Sequence, residues 1–295
     1  MDKKLLLLVN PVAGTNIIRN NLLDIVDIFN KAGYEVVVRA TQKSGEIPSI
    51  IEKHNFDYNV IVCTGGDGTL NEAINGLAGL KLPPMLGYIP AGTVNDFAFS
   101  NNIPKQPVQA ATQMIKSDGK YYDIGLINEN NKAFIYVAAF GLFTNIPYDT
   151  PQQSKNILGR FAYGLEGIKQ LSQIRSYNIT AETDTKTISG DFMLGMITNS
   201  KSVGGLEVPT IRESKYDDGL MEVTLIRTPT SIKELNDIVC AIVNNEKCNM
   251  AEHLKSTKLN ITSDENIDWT VDGEFGLKSK ECHIKVLGNK VKIMV

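Results

Sequence analysis

An α/β plus β chain, doubly wound α/β at the N-terminus and β-sandwich-like at the C-terminus, is expected from three observations. The first 125 residues alternate strand-like apolar runs with helical periodicity, closely spaced short strands follow Asp123, and the chain has 295 residues. Domains usually run about 100–200 residues, so two are expected. Alternating β and α segments with short connections predict a parallel sheet covered by helices, with ligands beyond the carboxyl ends of its strands.

Four apolar runs supply the N-terminal strands: Lys4–Val9, Glu35–Arg39, Asn59–Thr64 and Met85–Ile89. Between them Leu22, Leu23, Val26 and Phe29 recur at helix spacing, as do Leu70, Ala73, Ile74 and Leu77. Each strand leads into a polar or glycine-containing loop: 10–14, 41–46, 64–72 and 90–96. All four loops are expected on one edge of the sheet. Ile124–Ile127 and Ala133–Ala139 then flank Asn128-Glu129-Asn130-Asn131 as a hairpin. Further strands are expected at Tyr177–Glu182, Thr187–Thr198, Leu220–Arg227, Lys258–Thr262, Ile267–Val271, Cys282–Leu287 and Lys290–Val295, the pattern of a sandwich or barrel. Two helices interrupt them. One, 157–171, carries a stripe from Ile157 through Phe161 and Leu165 to Leu171, which faces a core or a lipid; the other, 231–243, opens with a capping box at Ser231 and Glu234.

Hydrophobic residues make up 42% and charged residues 21%, the balance of a folded domain rather than of a disordered or fibrous chain. The net charge of −3 gives no bulk attraction to nucleic acid or to an anionic membrane, so no nucleic-acid partner is expected and membrane contact must be local. Leu5–Val9 is shorter than the roughly 7–15 residues of a signal-peptide core. No run approaches the roughly 18 apolar residues of a membrane span. Cys63, Cys240, Cys248 and Cys282 form no C-x-x-C pair and are expected reduced, in the cytoplasm. His54, His253 and His283 lack metal-ligand spacing.

The stretch Thr64-Gly65-Gly66-Asp67-Gly68-Thr69-Leu70-Asn71-Glu72 turns a buried strand into a helix through three glycines. Glycines let a ligand approach the backbone, and a helix N-terminus offers unpaired N–H groups and a partial positive charge to phosphate. Asp67 would repel bare phosphate, which implies a bound cation, a sugar hydroxyl or a proton-accepting role. The P-loop pattern and G-x-G-x-x-G are both absent, which disfavours a P-loop NTPase and an ordinary dinucleotide dehydrogenase. Asp218-Gly219 and Asp272-Gly273, on residue type alone, are turns.

Gly65-Gly66-Asp67-Gly68-Thr69 with Asn71-Glu72, preceded by Asn10-Pro11-x-Ala13-Gly14 and followed by Pro90-x-Gly92-Thr93-x-Asn95-Asp96, resembles the diacylglycerol kinase catalytic domain of bacterial lipid kinases. The glycine block also occurs in NAD kinases and is similar to that of phosphofructokinases, so the flanking blocks decide the family. The resemblance covers nearly the whole chain. It implies a nucleotide domain at 1–125, joined by the C-terminal segment 288–295, and a β-rich domain at 126–287 with a lipid cleft and a metal loop.

Carried over, the ATP contacts fall on Asn10, Pro11, Val12, Ala13, Gly14, Thr41, Gly66, Asp67, Gly68, Thr69, Leu70, Asn71, Glu72 and Thr93. Gly66 and Gly68 would bring amides to phosphate, Thr69 would cap the following helix, and Asn71 or Glu72 would hold sugar or base. The loop Lys215–Leu220 resembles the family's structural magnesium loop, with Asp218 and the carbonyls of Lys215 and Leu220 as oxygen ligands suited to Mg2+. Asp272, in Val271-Asp272-Gly273-Glu274, matches the family's general base, and Asp67 is its rival. Ser202–Pro209 is similar to a glycine-rich family segment but has fewer glycines.

The implied activity is an ATP- and Mg2+-dependent lipid kinase phosphorylating a lipid hydroxyl, with diacylglycerol as leading acceptor and phosphatidic acid as product. Phosphatidylglycerol, a sphingoid base or ceramide are other acceptors. An NAD kinase-like enzyme and a non-catalytic nucleotide- or lipid-sensing protein are the alternatives. The resemblance further implies a homodimer and a cytoplasmic protein in peripheral contact with membrane.

Overall fold

The parallel strands form where the sequence is apolar on both faces, as in a sheet covered by helices. In the computed structural model these are β1 (Lys3–Val9), β3 (Val60–Gly65) and β4 (Met85–Pro90), flanked by the more exposed parallel strand β2 (Tyr34–Ala40). The structure describes residues 3–11, 17–54, 56–93, 95–128, 132–142, 171, 174–199, 202–203, 206–207, 215–244 and 246–295. The helix expected at 157–171 lies almost wholly outside them. The chain divides into two compact units, one of Met1–Ile124 with Asn289–Val295 and one of Gly125–Gly288.

In the first unit the strand order is β4-β3-β1-β2, all parallel, with Leu5 opposite Val36 on one side and Val60 on the other. Residues Leu5 to Leu8 and Val60 to Cys63 are buried almost completely, which accounts for their unbroken apolar character. The returning C-terminus adds Ile293 and Met294 in parallel beside Leu86 and Gly87 of β4. Helices α1 (Ile17–Lys31), α2 (Ile47–His54), α3 (Asp67–Ala78), α4 (Asp96–Ser100) and α5 (Pro107–Met114) connect the strands. Helix α1 buries Ile18, Ile25 and Phe29, whereas Leu23, expected on its apolar face, is 84% exposed. Leu23 lies about 200° around the helix from Ile25 at 3.6 residues per turn, so the buried face excludes it. Helix α5 begins at a proline, and the Gln106 side chain accepts the Gln109 N–H at 2.8 Å.

The second unit is built on long antiparallel strands: β5 (Lys120–Ile127), which enters it at Gly125, β6 (Lys132–Phe134), β7 (Val137–Gly141), β8 (Tyr177–Thr183), β9 (Thr187–Thr198), β12 (Met221–Arg227), β13 (Ala251–Ser256), β14 (Lys258–Val271) and β15 (Glu274–Met294), which leaves it after Gly288. The short β10 (Ser202–Val203) and β11 (Leu206–Glu207) pair with each other. Strands β9 and β14 each pair with both β7 and β8, so four strands close a hydrogen-bonded ring rather than forming two separate sheets. The runs expected as separate strands at 258–262 and 267–271 are one strand, β14, with a register shift between Thr262 and Ile267. Its core clusters around Trp269, Phe140, Phe192 and Tyr177. Helix α6 (Ile232–Asn244) is capped by Ser231, whose Oγ accepts the Glu234 N–H at 3.2 Å, while the Glu234 carboxylate reaches back to the N–H of Thr230 at 2.6 Å and to that of Ser231. Among the described residues no helix is long and apolar enough to cross a membrane.

Candidate functional site

The carboxyl ends of β1, β3 and β4 are bound to one another through backbone and glycine contacts. The Asn10 N–H donates to Thr64 O at 3.3 Å, and the Ala91 N–H to Gly65 O at 2.7 Å. A Cβ placed on Gly92 would stand 2.5 Å from the Gly66 Cα, and one on Gly65 would stand 2.2 Å from the Thr69 hydroxyl. These glycines therefore let two loops touch main chain to main chain. Asn95, at φ 56, holds the second loop: its Oδ1 accepts the Gly92 N–H at 3.0 Å and its Nδ2 donates to Gly92 O at 2.7 Å. The Tyr88 hydroxyl lies between Gly65 O (3.2 Å) and Asn95 Oδ1 (3.1 Å). Nothing in the sequence marks Tyr88; the Asn-Asp pair after Gly-Thr is the signal that points to Asn95.

Of the expected nucleotide residues, Asn10 and Thr69 approach each other, with Asn10 Nδ2 3.5 Å from Thr69 Oγ1. Thr41 is joined to the end of β1 through its N–H to Val9 O at 2.9 Å. Thr93 is exposed beside Gly92, and Pro11 follows Asn10 at half exposure, while Val12, Ala13 and Gly14 lie outside the described residues. Leu70 and Asn71 are buried within α3. Thr69 does not cap that helix. The helix starts at Asp67 with Gly66 in the N-cap position, which puts Thr69 one turn inside.

Glu72 is engaged internally: its carboxylate accepts the Gly45 N–H at 2.8 Å, the Ser44 hydroxyl at 3.2 Å and the Ile47 N–H at 3.4 Å. It thereby ties the loop after β2 and supplies negative charge at the start of α2, where the helix dipole favours it. Asp67 likewise turns toward the next loop, accepting the Asp96 N–H at 3.1 Å and the Phe97 N–H at 3.4 Å. Burial pushes the Asp67 carboxyl above the usual carboxylate range, against the opposing pull of those amides. Burial, with the neighbouring Asp67 charge, pushes Asp96 up to about 6.

In the β-rich unit, Asp272 and Gly273 are the two central residues of the β14–β15 hairpin, at φ 47 and 87 with Val271 opposite Glu274. Two successive positive φ values are what a type I′ turn requires, and they select Asp-Gly. The turn aims the Asp272 carboxylate at the β6–β7 connection, where it accepts the N–H groups of Ile135 (3.1 Å), Tyr136 (3.0 Å) and Val137 (2.9 Å). The Asp272 N–H in turn donates to Val137 O at 2.8 Å. Its orientation is thus fixed by main chain from a segment 135 to 137 residues away.

Asp218 precedes Gly219, whose φ is 74, and Asp218 Oδ1 accepts the Leu220 N–H at 3.1 Å. Lys255 stands 3.8 Å from Asp218 Oδ2 and 3.2 Å from Glu222 Oε1, and burial raises the Glu222 carboxyl. The loop 215–220 offers the Asp217 and Asp218 carboxylates and main-chain oxygens. That donor set suits a hard cation such as Mg2+, with the Lys255 ammonium as a competing charge. Among the described residues no three His, Cys, Asp or Glu side chains gather as a metal cage.

A family profile described as the diacylglycerol kinase catalytic domain matches residues 4–127. A diacylglycerol kinase of Bacillus subtilis (strain 168) is 33% identical over 279 residues, spanning 93% of this chain and 90% of that protein. A diacylglycerol kinase of Staphylococcus aureus (strain JH9) is 33% identical over 281 residues, spanning 94% and 88%. The crystal structure of a diacylglycerol kinase from Bacillus anthracis str. Sterne shares the fold, with a TM-score of 0.75 at 24% identity over 99% of this chain and 96% of that one. With glycine-bound loops at the ends of β1, β3 and β4 and a relative matching along almost its full length, the chain belongs to the diacylglycerol kinase family.

Proposed function

We propose that the protein is a lipid kinase that transfers the γ-phosphate of ATP to a lipid hydroxyl, with diacylglycerol as the acceptor and phosphatidic acid as the product. The observation that carries this reading is the contact of Gly66 with Gly92 at the ends of β3 and β4, which puts two loops and the start of α3 together as a phosphate-binding surface. The first unit is the nucleotide domain; the β-rich unit supplies the lipid cleft, the metal loop and the general base.

Phosphoryl transfer asks little covalent chemistry of the protein, so positioning and charge stabilisation dominate. Asn10, Thr41, Gly66, Gly68, Thr69 and Thr93 position the triphosphate. Asp272 takes the proton of the acceptor hydroxyl as its oxygen attacks phosphorus, and the amides of Ile135 to Val137 hold the carboxylate in place for that step. Asp67 acts as a positioning residue for the loop after β4. Asp218, with the carbonyls of Lys215 and Leu220, would hold a structural Mg2+ that supports the loop, and a separate Mg2+ would accompany ATP. The protein works in the cytoplasm as a homodimer in peripheral contact with the membrane that contains its acceptor.

The test is transfer from γ-labelled ATP, with Mg2+, to a panel of lipid alcohols in mixed micelles, beside NAD and a no-acceptor control. Label in phosphatidic acid is expected. Label in NADP, or ATP binding without transfer to any acceptor, would overturn the reading.

A further inference from the structure

Strand β2 is the outer strand of the parallel sheet, pairing among the described residues only with β1, along its seven residues. The Thr41 N–H donates to Val9 O, and Val9 is opposite Ala40. Because main-chain groups alternate along a strand, those of Glu35, Val37 and Arg39 face β1, while those of Tyr34, Val36, Val38 and Ala40 face outward. Among the described residues one side-chain bond to these outward groups occurs, from Gln42 Nε2 to Ala40 O at 3.1 Å.

Exposed edges are ordinarily protected by lysines, prolines or bulges. The sequence Tyr34-Glu35-Val36-Val37-Val38-Arg39-Ala40 has none of these: its register is unbroken, and Val37 and Val38 are 39% and 42% exposed. The other outer strand, β13, contrasts with it. Glu252 there is paired with Arg227 and Lys186, and Lys255 with Glu222.

We propose that the β2 edge is a self-complementary docking surface whose occupant is β2 of a second copy of this chain, antiparallel about a two-fold axis passing midway between Val37 and Val37′. The inference rests on the homodimer reading above and names its surface. In that register Val36 and Val38′ exchange main-chain hydrogen bonds, as do Tyr34 and Ala40′, all using outward-facing groups. The non-hydrogen-bonded positions then bring Val37 against Val37′ and Glu35 against Arg39′, twice over by symmetry. Shifting the register by two residues in either direction puts Glu35 or Arg39 opposite valine and loses the charge match. Glu35 makes a long, exposed ion pair with Lys4 (3.9 Å) and can turn to the partner, whereas Arg39 stands 3.6 Å from the half-buried Glu46 and would share its charge between Glu46 and the partner.

The full chain and its variants are compared by sedimentation velocity over a range of concentrations, with the unfolding transition as the check on folding. The intact chain is expected to dimerise. Glu35→Arg, which sets a second guanidinium against that of Arg39′, is expected to weaken the dimer about tenfold, in line with cross-strand pair energies. The double variant Glu35→Arg/Arg39→Glu is expected to restore it to within about threefold, as a charge swap should. Val38→Pro removes an outward N–H while leaving the β1 ladder intact and is expected to yield a monomer. A dimer indifferent to Glu35→Arg and Val38→Pro would overturn the edge while keeping the homodimer. A chain that stays monomeric throughout would overturn both, and failure of the charge swap to restore a dimer lost in Glu35→Arg would overturn the register.

Discussion

Asp67 and Asp272 both follow strands, both adjoin glycine, and both accept main-chain amides, yet they do different things with them. Asp67 binds the Asp96 and Phe97 amides of the adjacent loop, so that its carboxylate fastens two neighbouring strand ends. Asp272 reaches a segment 135 to 137 residues away and is aimed by a turn whose backbone leaves it one direction to point. Burial works against the charge of Asp67. A glycine-flanked carboxylate in a sequence can therefore fasten a neighbouring strand end or be held by a segment far along the chain, and its donors tell which.

The largest separation between the two is expected in turnover. Asp272→Asn should lower kcat by about 10²–10⁴-fold, the usual contribution of a positioned base, with nucleotide affinity little changed. Near-normal turnover in that variant would remove Asp272 from the chemistry and promote Asp67.

The next largest effect is a pH dependence confined to the Asp67 side. The folded chain holds the Asp96 proton up to about 6, more tightly than the unfolded chain with its ordinary carboxylate value. This contribution to stability is therefore complete at low pH and is lost as pH rises through about 6. The stability of the intact protein minus that of Asp96→Asn should fall by up to about 3 kcal/mol between about pH 4 and about pH 6.5, read by urea unfolding. A flat difference would mean that neither burial nor the Asp67 charge raises the Asp96 carboxyl in the folded chain.

Gly92→Ala tests the contact that Asp67 helps to close. Its Cβ would meet the Gly66 backbone at 2.5 Å, so a loss of about 1–3 kcal/mol in stability is expected, together with weaker ATP binding by calorimetry. Unchanged ATP affinity would separate this contact from the nucleotide surface. Asp67→Asn should lower stability by about 1–2 kcal/mol, since asparagine can still accept from part of the amides that its carboxylate holds. A loss in kcat matching that of Asp272→Asn would erase the distinction between them.

How much of this is legible in the sequence follows from how local each feature is. The strands β1, β3 and β4 are visible as apolar runs because both faces are buried. Asp272-Gly273 is legible as a turn because only certain residues accept two positive φ values in succession. Helix α1 shows the limit: its spacing announces a helix, but Leu22, Leu23, Val26 and Phe29 describe a face that the sheet does not use in full, and Leu23 is exposed. The division of β14 into two expected strands has a similar origin, since the polar run Ser263-Asp264-Glu265-Asn266 reads as a turn yet stays extended.

Residue order alone determined the βαβα rhythm, the glycine turns at the strand ends and the hairpin that carries Asp272, because backbone propensity and hydrophobic periodicity act over a few residues. Tertiary structure decided which carboxylates face inward: Glu72 onto the 44–47 loop, Asp67 onto α4, Asp272 onto the amides of 135–137. Those donors are brought in by other strands and loops, and a hydrogen bond forms only where donor and acceptor meet within about 3 Å, a condition that sequence separation does not encode.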